Sequence, residues 1–426
     1  TNSQRIDPLE PAAVRSRHHQ LAERARAQGV DHHWVKRRAF VGLHSHSLDA
    51  RRKRTRLVND TPMALRQTGQ IIQHVNMVLA ILDLLEQKVE TDVMELDRFE
   101  WLALRQEDAI DPDRSIVDPH HHLWDRGGST YLAPQLLDDI TKTHNVVKTV
   151  FVECRTDYDR ELAEHFWPVG ETEFAAREAD QTDAAGGPTL AGIVGHADMM
   201  LGDGIAEVLG AHIAVSGGRF RGIRHATAWD ASDDIRNGHS RPVPLMMGTS
   251  KFSAAAQTLA SMGLTFDAWL YHPQLSEVAS LATRVPDLAI VLNHLGGPLA
   301  IGPYGQARDQ ALTAWRAEMG RVADNPNVFL KLGGIGMDDT FATGWTTRQS
   351  PPSSDEVADY WADDVRFCID LFGPERCMFE SNFPVDRQTL PYPVIWNSFQ
   401  IMAAAYTDGE QDSLFSGTAN RVYRLS

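Results

Sequence analysis

The residues with the clearest chemical potential are His120 and His122, which stand two positions apart. The β-branched pair Ile116 and Val117 leads into them and predicts a buried strand. Because side chains on a strand alternate between its faces, the two imidazoles project together while His121 points away. Imidazole nitrogens bind zinc and other transition metals, so the pair could be half of a metal site. Packing at the mouth of a sheet is the alternative interpretation.

Further polar residues recur where short apolar runs end. Eight such runs, alternating with helical segments, lie between positions 116 and 381. The polar residues at or just after their ends are His120, His122, Glu153, His196, Arg224, His225, His272, His294, Lys331, Glu380 and Asn382. Continuous apolar runs are typical of parallel strands covered by helices, and a TIM barrel has eight, with its active site at their C-terminal ends. We therefore predict an α/β protein, a (β/α)8 TIM barrel, with these side chains on one rim.

The first 110 residues differ from the rest and predict a mainly helical extension, followed by the barrel over 111–426. Apolar residues at helical spacing between 63 and 107 predict one or two long helices. We expect these helices to join subunits in a homodimer or a higher homo-oligomer. A second spaced pair, His44 and His46, has no further ligands near it and is not interpreted as a metal site.

Charge and composition restrict the class of protein. The chain has 426 residues, 42% of them hydrophobic, and a formal net charge of -16. A basic run at 51–56 lacks the interleaved aromatic residues of a recognition motif, so nucleic-acid binding is not expected. No window approaches eighteen uninterrupted apolar residues, so no membrane association is expected. Three cysteines without a disulfide pattern, and an N-terminus without an apolar signal core, predict a cytoplasmic protein.

Five motifs together resemble the amidohydrolase superfamily, in the amidohydrolase-related branch that contains sugar lactonases and the pyrone dicarboxylate lactonase. They are Asp118-Pro-His-His-His-Leu-Trp-Asp125, Arg219-Phe-Arg-Gly-Ile-Arg-His225, Phe266-Asp-Ala-Trp-Leu-Tyr-His-Pro-Gln-Leu275, Asn293-His-Leu-Gly-Gly-Pro298 and Met378-Phe-Glu-Ser-Asn-Phe-Pro-Val-Asp386. The resemblance covers about residues 100–425. It implies a barrel hydrolase with one divalent ion, zinc as first choice and manganese as second. The implied metal ligands are His120, His122, His272 and His294.

The chain departs from the family pattern at Asn382, where an aspartate is usual. Asparagine cannot act as a general base and binds a divalent cation less well than a carboxylate does. Glu380, on the same face, or Asp386 could supply the missing carboxylate. Alternatively, the enzyme works without a metal, and Arg224 and Lys331, together with His225, polarise the substrate carbonyl while a histidine or Glu380 activates water.

The resulting expectation is a hydrolase of a cyclic ester, a lactone of an acidic or sugar-like catabolite, acting by metal-assisted attack of water on the carbonyl. The expected catalytic residues are Arg224, His225, Lys331, Glu380 and Asp386. The expected substrate-binding residues are Trp124, Glu153, His196, Tyr271 and Asn382. A decarboxylase or hydratase on the same barrel is one alternative, and a weakened barrel with a binding role is another.

Overall fold

The computed structural model describes residues 98–126 and 128–425. The predictions that concern His44 and His46, the basic run at 51–56 and most of the helical stretch at 63–107 lie outside the described residues. Among the residues described, no helix combines the length and the apolar character needed to cross a membrane.

The strands of the described residues are β1 (Ile116–His121), β2 (Trp124–Arg126), β3 (Ser129–Tyr131), β4 (Val146–Val152), β5 (Thr189–Gly195), β6 (Phe220–Arg224), β7 (Thr265–Ala268), β8 (Ile290–Leu292), β9 (Val328–Leu332) and β10 (Cys377–Phe379). Eight of them form a parallel central sheet in the order β1, β4, β5, β6, β7, β8, β9, β10, and β2 and β3 form a separate antiparallel pair. The sheet closes where β10 meets β1: the amide of Asn382 donates to His120 O at 2.9 Å, and that of His122 donates to Phe383 O at 2.7 Å. This confirms the predicted (β/α)8 TIM barrel.

Helices connect the strands and cover the outside of the barrel. They are α1 (Phe99–Leu102), α2 (Ala133–Ile140), α3 (Pro168–Ala184), α4 (Ile205–Val215), α5 (Ser250–Ser261), α6 (Leu275–Arg284), α7 (Gly302–Gln306), α8 (Arg308–Ala323), α9 (Asp338–Phe341), α10 (Ser354–Phe372), α11 (Tyr392–Ala403), α12 (Asp408–Asp412) and α13 (Thr418–Val422). At the start of α10, Ser353 and Glu356 form a capping box, in which each side chain accepts from the other residue's backbone amide.

The strands of the central sheet are largely buried and mostly apolar, as a helix-covered barrel requires. Inside the barrel, Val117, Val150, Val291 and Met378 are fully buried and pack in one cluster with residues of the C-terminal segment, including Tyr423. The C-terminal segment therefore helps to fill the barrel interior, and this places the Tyr423 hydroxyl beside Asp267 on β7.

The segment at 98–110, which precedes the predicted barrel, is bonded to barrel elements. Trp101 Nε1 donates to Arg348 O at 3.0 Å, and the amide of Ile110 donates to Asn397 Oδ1 at 3.0 Å. Asn397, on α11, also donates to Glu107 Oε2 at 3.1 Å. The described end of the extension is thus part of the same packed unit as the barrel.

Candidate active site

The end of β1 presents His120 and His122 at the rim, and the alternation predicted for the strand is observed. His121 Nε2 lies 3.0 Å from Thr149 Oγ1, away from the other two rings. His122 Nδ1 lies 2.8 Å from Val152 O. A backbone carbonyl can only accept, so Nδ1 of His122 carries the proton and Nε2 keeps its lone pair. The His120 and His122 ring centroids are 5.0 Å apart.

Glu380, just after β10, lies between two imidazoles. Its Oε1 is 2.7 Å from His294 Nδ1 and also accepts from the His294 amide at 3.2 Å, and its Oε2 is 2.6 Å from His120 Nδ1. The Glu380 side chain is fully buried. A carboxylate that accepts from Nδ1 leaves the other ring nitrogen, Nε2, as the base of the imidazole. His294 and Glu380 therefore form an oriented histidine–carboxylate pair.

Backbone shape holds this pair in place. His294 has a φ of 53°, a left-handed conformation that turns the chain sharply after β8. A Cβ added to Gly334 would lie 2.6 Å from His294 Nδ1, and one added to Gly333 would lie 2.3 Å from the Glu380 side chain. Only glycines at these two positions after β9 leave room for the pair.

Burial keeps the histidines of the rim neutral. Loss of hydration on burial lowers the pKa of His294, and the nearby Glu380 charge raises it only in part. Burial, and then the Lys331 charge, hold the pKa of His120 well below its usual value. Burial, and then the Arg224 charge, do the same for His122. Neutral imidazoles can accept protons or bind metals at neutral pH.

Lys331, at the end of β9, is completely buried beside these groups. Its Nζ donates to Asp267 Oδ2 at 2.8 Å and to Pro119 O at 2.9 Å, and lies 3.3 Å from His120 Nδ1. Tyr423 donates its hydroxyl proton to Asp267, at 2.8 Å from Oδ2. Lys331 is thus an internal cation of the rim with a fixed carboxylate partner, and not a surface residue.

Replacing Lys331 by methionine is expected to destabilise the fold, because Asp267 would stay buried without its cation. Removing one partner of a buried pair costs about 3–5 kcal/mol, here at the lower end because Asn293 and Tyr423 still donate to Asp267. Urea unfolding measures the change. The control is Lys142→Met, whose lysine is 58% exposed in a surface pair, and which should alter stability by less than about 0.5 kcal/mol. Equal stability of the two variants would contradict the role of Lys331.

A second set of polar side chains adjoins the first through Arg224, at the end of β6. The guanidinium donates from Nε to Glu153 Oε1 at 2.8 Å and from Nη2 to Glu153 O at 2.5 Å. Its Nη1 lies 3.3 Å from His120 Nε2. His239 Nε2 is 3.2 Å from Glu153 Oε2, and His196 Nδ1 lies 3.0 Å from Arg224 O. Burial tends to raise the pKa of Glu153, but attraction to His239 and Arg224 outweighs it and keeps the pKa well below its usual value.

Three other predicted residues are hydrogen-bonded to groups outside these two sets. His272 Nδ1 accepts from the Leu299 amide at 3.2 Å, and its ring packs against Tyr304, so the structure does not bring it to the other predicted ligands. His225 Nδ1 accepts from the Met199 amide at 3.1 Å, and burial lowers its pKa to about 3. The Tyr271 hydroxyl donates to Arg236 O.

The remaining predicted residues contact loops and rings next to the rim. Asn382 donates from Nδ2 to Asp386 Oδ1 at 2.8 Å, and the Gly336 amide donates to Asp386 Oδ2 at 2.8 Å. Both Asp386 oxygens are therefore engaged in holding loops, which argues against Asp386 as the replacement carboxylate and leaves Glu380. Trp124 stacks on His122 at a centroid distance of 6.4 Å.

Sequence reasoning missed several residues of the site. His239 lies in the loop after β6, where no strand end marks it, and Tyr423 comes from the far end of the chain. Gly333 and Gly334, directly after β9, were not predicted as residues of the site. The glycine pair directly after an apolar strand was a signal that a side chain of another strand approaches closely.

Two groups of described residues have donor atoms within 4.8 Å of one another, close enough for one divalent ion. We call His120, His294 and Glu380 the first donor group, and Glu153, His196 and His239 the second donor group. The first fits a metal ion poorly. Both ring nitrogens of His120 lie 3.3 Å from a cationic group, Lys331 on one side and Arg224 on the other. A divalent ion there would compete with Lys331 and Arg224 for the ring nitrogens of His120.

Known proteins share this architecture. The curated relatives include an uncharacterized protein, y4mH, of Sinorhizobium fredii, 31% identical over 74% of this chain and 99% of its own length. They also include an L-fucono-1,5-lactonase of Burkholderia ambifaria, 28% identical over 64% of this chain and 81% of its own. A crystal structure of a Burkholderia multivorans amidohydrolase with bound zinc superposes with a TM-score of 0.57 at 22% identity, over 73% of this chain and 99% of that one. The family model described as amidohydrolase matches residues 117–425. The chain belongs to this amidohydrolase family and has the barrel of an amidohydrolase-type hydrolase.

Proposed function

We propose that the protein hydrolyses a cyclic ester, a lactone of a sugar-like or acidic catabolite. The observation that carries the proposal is the buried His294–Glu380 pair, which lies on the same rim as the Arg224 guanidinium. Attack of water on an ester carbonyl requires a base to take a proton from the water and a fixed positive group to stabilise the carbonyl oxygen, and this rim has both. The lactonase relatives support an ester substrate, and the family supports hydrolysis.

His294 Nε2 is the proposed general base. Glu380 accepts from Nδ1 and so fixes the tautomer in which Nε2 is unprotonated. As a water oxygen bonds to the acyl carbon, its proton passes to Nε2. When the ring C–O bond breaks, the same proton is returned to the leaving alkoxide, and the product is an open hydroxy acid.

Arg224 is the proposed stabiliser of the carbonyl oxygen. Its Nε and Nη2 are held by Glu153, so the remaining nitrogen, Nη1, is fixed near His120. An oriented donor in a buried site gains most when negative charge develops on the oxygen in the transition state. Lys331 is bonded to Asp267 and Pro119, and we assign it a positioning role that adds positive potential to the rim.

The access side of the rim is formed by partly exposed aromatic and imidazole groups. His239 is 24% exposed at its side chain, and Trp269 packs edge-on against His294 at 4.8 Å. The flat ring of Trp269 can pack against the apolar face of a sugar-like ring, and the imidazole of His239 can hydrogen-bond its hydroxyl groups. Glu153, expected as a substrate contact, is fully buried and bonded to Arg224, and we assign it the role of holding that guanidinium.

The pH dependence of kcat/KM should show an acidic limb centred below pH 6.5, because burial lowers the pKa of His294 from that value. Activity is lost as the pH falls through this pKa, since protonated His294 is not a base. In Glu380→Gln the raising effect of the carboxylate is removed, so the limb should move to still lower pH while the plateau falls. Glu318→Gln, on α8, serves as the control and should leave the profile unchanged. A limb that moves to higher pH in Glu380→Gln would contradict the assignment.

The experiment that tests the function is a panel of five- and six-membered sugar lactones and dicarboxylate lactones, followed by proton release. Aromatic carboxylates are assayed in parallel for carbon dioxide release. Opening of at least one lactone with no carbon dioxide is expected. Release of carbon dioxide alone would identify a decarboxylase and overturn the proposal.

A homo-oligomeric state and a cytoplasmic location are also proposed. The three cysteines, Cys154, Cys368 and Cys377, are free thiols, which suits a reducing compartment. The oligomer is expected to form through the segment at 63–104, and light scattering of the full chain measures it; a monomer at micromolar concentration would contradict it.

A further inference from the structure

We infer that the second donor group, Glu153, His196 and His239, is a divalent-cation site, with zinc as the ion that its donors suit best. The inference does not rest on the proposed function, because binding of the ion can be measured without turnover. It assigns the metal to residues after β4, β5 and β6, and not to the histidines of β1.

Three separate chain segments bring these donors together. Glu153 follows β4 directly, His196 follows β5 directly, and His239 comes from the long loop after β6. One donor atom from each lies within 4.8 Å of the other two. Two imidazoles and one carboxylate are a common protein ligand set for zinc, which leaves a further position open for water or substrate.

The tautomer of His196 is fixed in the form that binds a metal. Its Nδ1 lies 3.0 Å from the carbonyl oxygen of Arg224, which can only accept. Nδ1 therefore carries the proton and Nε2 keeps a lone pair. A metal-binding histidine usually has its other nitrogen bonded in this way, to a carbonyl or a carboxylate.

Glu153 divides its two oxygens between a cation and the imidazoles. Oε1 accepts from Arg224 Nε, whereas Oε2 lies 3.2 Å from His239 Nε2. Among the described residues, neither Glu153 Oε2 nor His239 Nε2 has an aligned hydrogen-bond partner, although both atoms are buried. Buried polar atoms without partners are costly, and two facing each other call for a bound group between them.

The two donor groups differ in the cations that contact their donor atoms. In the first, cations contact both ring nitrogens of His120. In the second, Arg224 bonds Oε1 of Glu153, which leaves Oε2 of Glu153 and Nε2 of His196 with free lone pairs. The competing explanation is a protonated His239 that pairs with Glu153 as a plain ion pair. It predicts no specific metal binding.

The test is zinc binding to the full-length protein after removal of metals by a chelator, measured by calorimetry and by elemental analysis after gel filtration. One equivalent per chain is expected. His239→Ala should weaken binding by at least about 100-fold, the upper end of what loss of an outer-shell partner costs. Because His239 is on a loop and partly exposed, the variant should fold. His196→Gln is the second variant and should show the same loss.

His294→Asn is the matched control, since it removes a histidine from the first donor group and should keep the zinc. Three results would overturn the inference. They are absence of zinc binding in the unsubstituted protein, retention of tight binding in His239→Ala and His196→Gln, and loss of binding in His294→Asn. Zinc binding without any lactone opening would leave the inference standing and reject the proposed function.

Discussion

Replacing His294 by asparagine is expected to lower kcat by about 10²–10⁴-fold, the usual contribution of a general base. The substitution removes Nε2 and with it the acceptor for the proton of water. Asparagine tolerates the left-handed backbone of this position, where φ is 53°, so the chain turn after β8 should be preserved. KM should change little, because the base acts on water and not on the substrate.

The control for this variant is His165→Asn, which changes an exposed histidine far from the first donor group in the sequence. It should keep full activity. Steady-state kinetics and circular dichroism of both variants measure the effect and the integrity of the fold. A folded His294→Asn protein with unchanged kcat would show that His294 is not the base.

The second large effect is expected for Arg224→Lys, with a fall in kcat of about 10²–10³-fold, the cost of losing one oriented donor to the developing charge. Lysine keeps the positive charge but has a single nitrogen. That nitrogen cannot take over all three contacts of the guanidinium, which are with the Glu153 carboxylate, the Glu153 backbone carbonyl and His120. Geometry, and not charge, is therefore what the variant removes.

Arg221→Lys provides a matched control on the same strand. Arg221 lies three residues before Arg224 and so on the opposite face of β6, where it donates to Ala191 O at 3.2 Å. The kcat of the Arg221→Lys enzyme should stay within about twofold of that of the unsubstituted enzyme. An Arg224→Lys enzyme that loses affinity while kcat is preserved would indicate that Arg224 binds the ground state only.

Much of the fold could be predicted because the barrel strands are apolar runs that end on polar residues. The ends of β1, β4, β6, β8, β9 and β10 mark six residues that the structure places together: His120, Glu153, Arg224, His294, Lys331 and Glu380. Because Asn382 replaces the usual aspartate, Glu380, two residues earlier on the same face, was a candidate for the missing carboxylate. Its contacts with His120 and His294 support that interpretation.

The positions that could not be predicted are those set by loops and by long-range packing. His272 comes four residues after Ala268, the last residue of β7, where the chain has already turned into a short helical segment. Its direction follows from packing on Tyr304, which no strand periodicity encodes. His239 and Tyr423 reach the site from a long loop and from the chain end, and their positions depend on the folded barrel.

The neighbouring cations change where a metal ion is expected to bind. A pair of histidines two residues apart predicts a metal ligand, but the pattern contains no information on neighbouring cations. Lys331 and Arg224 reach His120 from two other strands. These two cationic groups disfavour an ion at His120, and the ion site that we propose is the second donor group.

The measurement that tests the central claim most directly is hydrolysis of a lactone from the panel in water enriched in oxygen-18. Attack of water on the acyl carbon places one labelled oxygen in the carboxylate of the product and leaves the alcohol oxygen unlabelled. The account predicts this result, and its loss in His294→Asn. Label in the alcohol, or a product formed without incorporation of label, would contradict it.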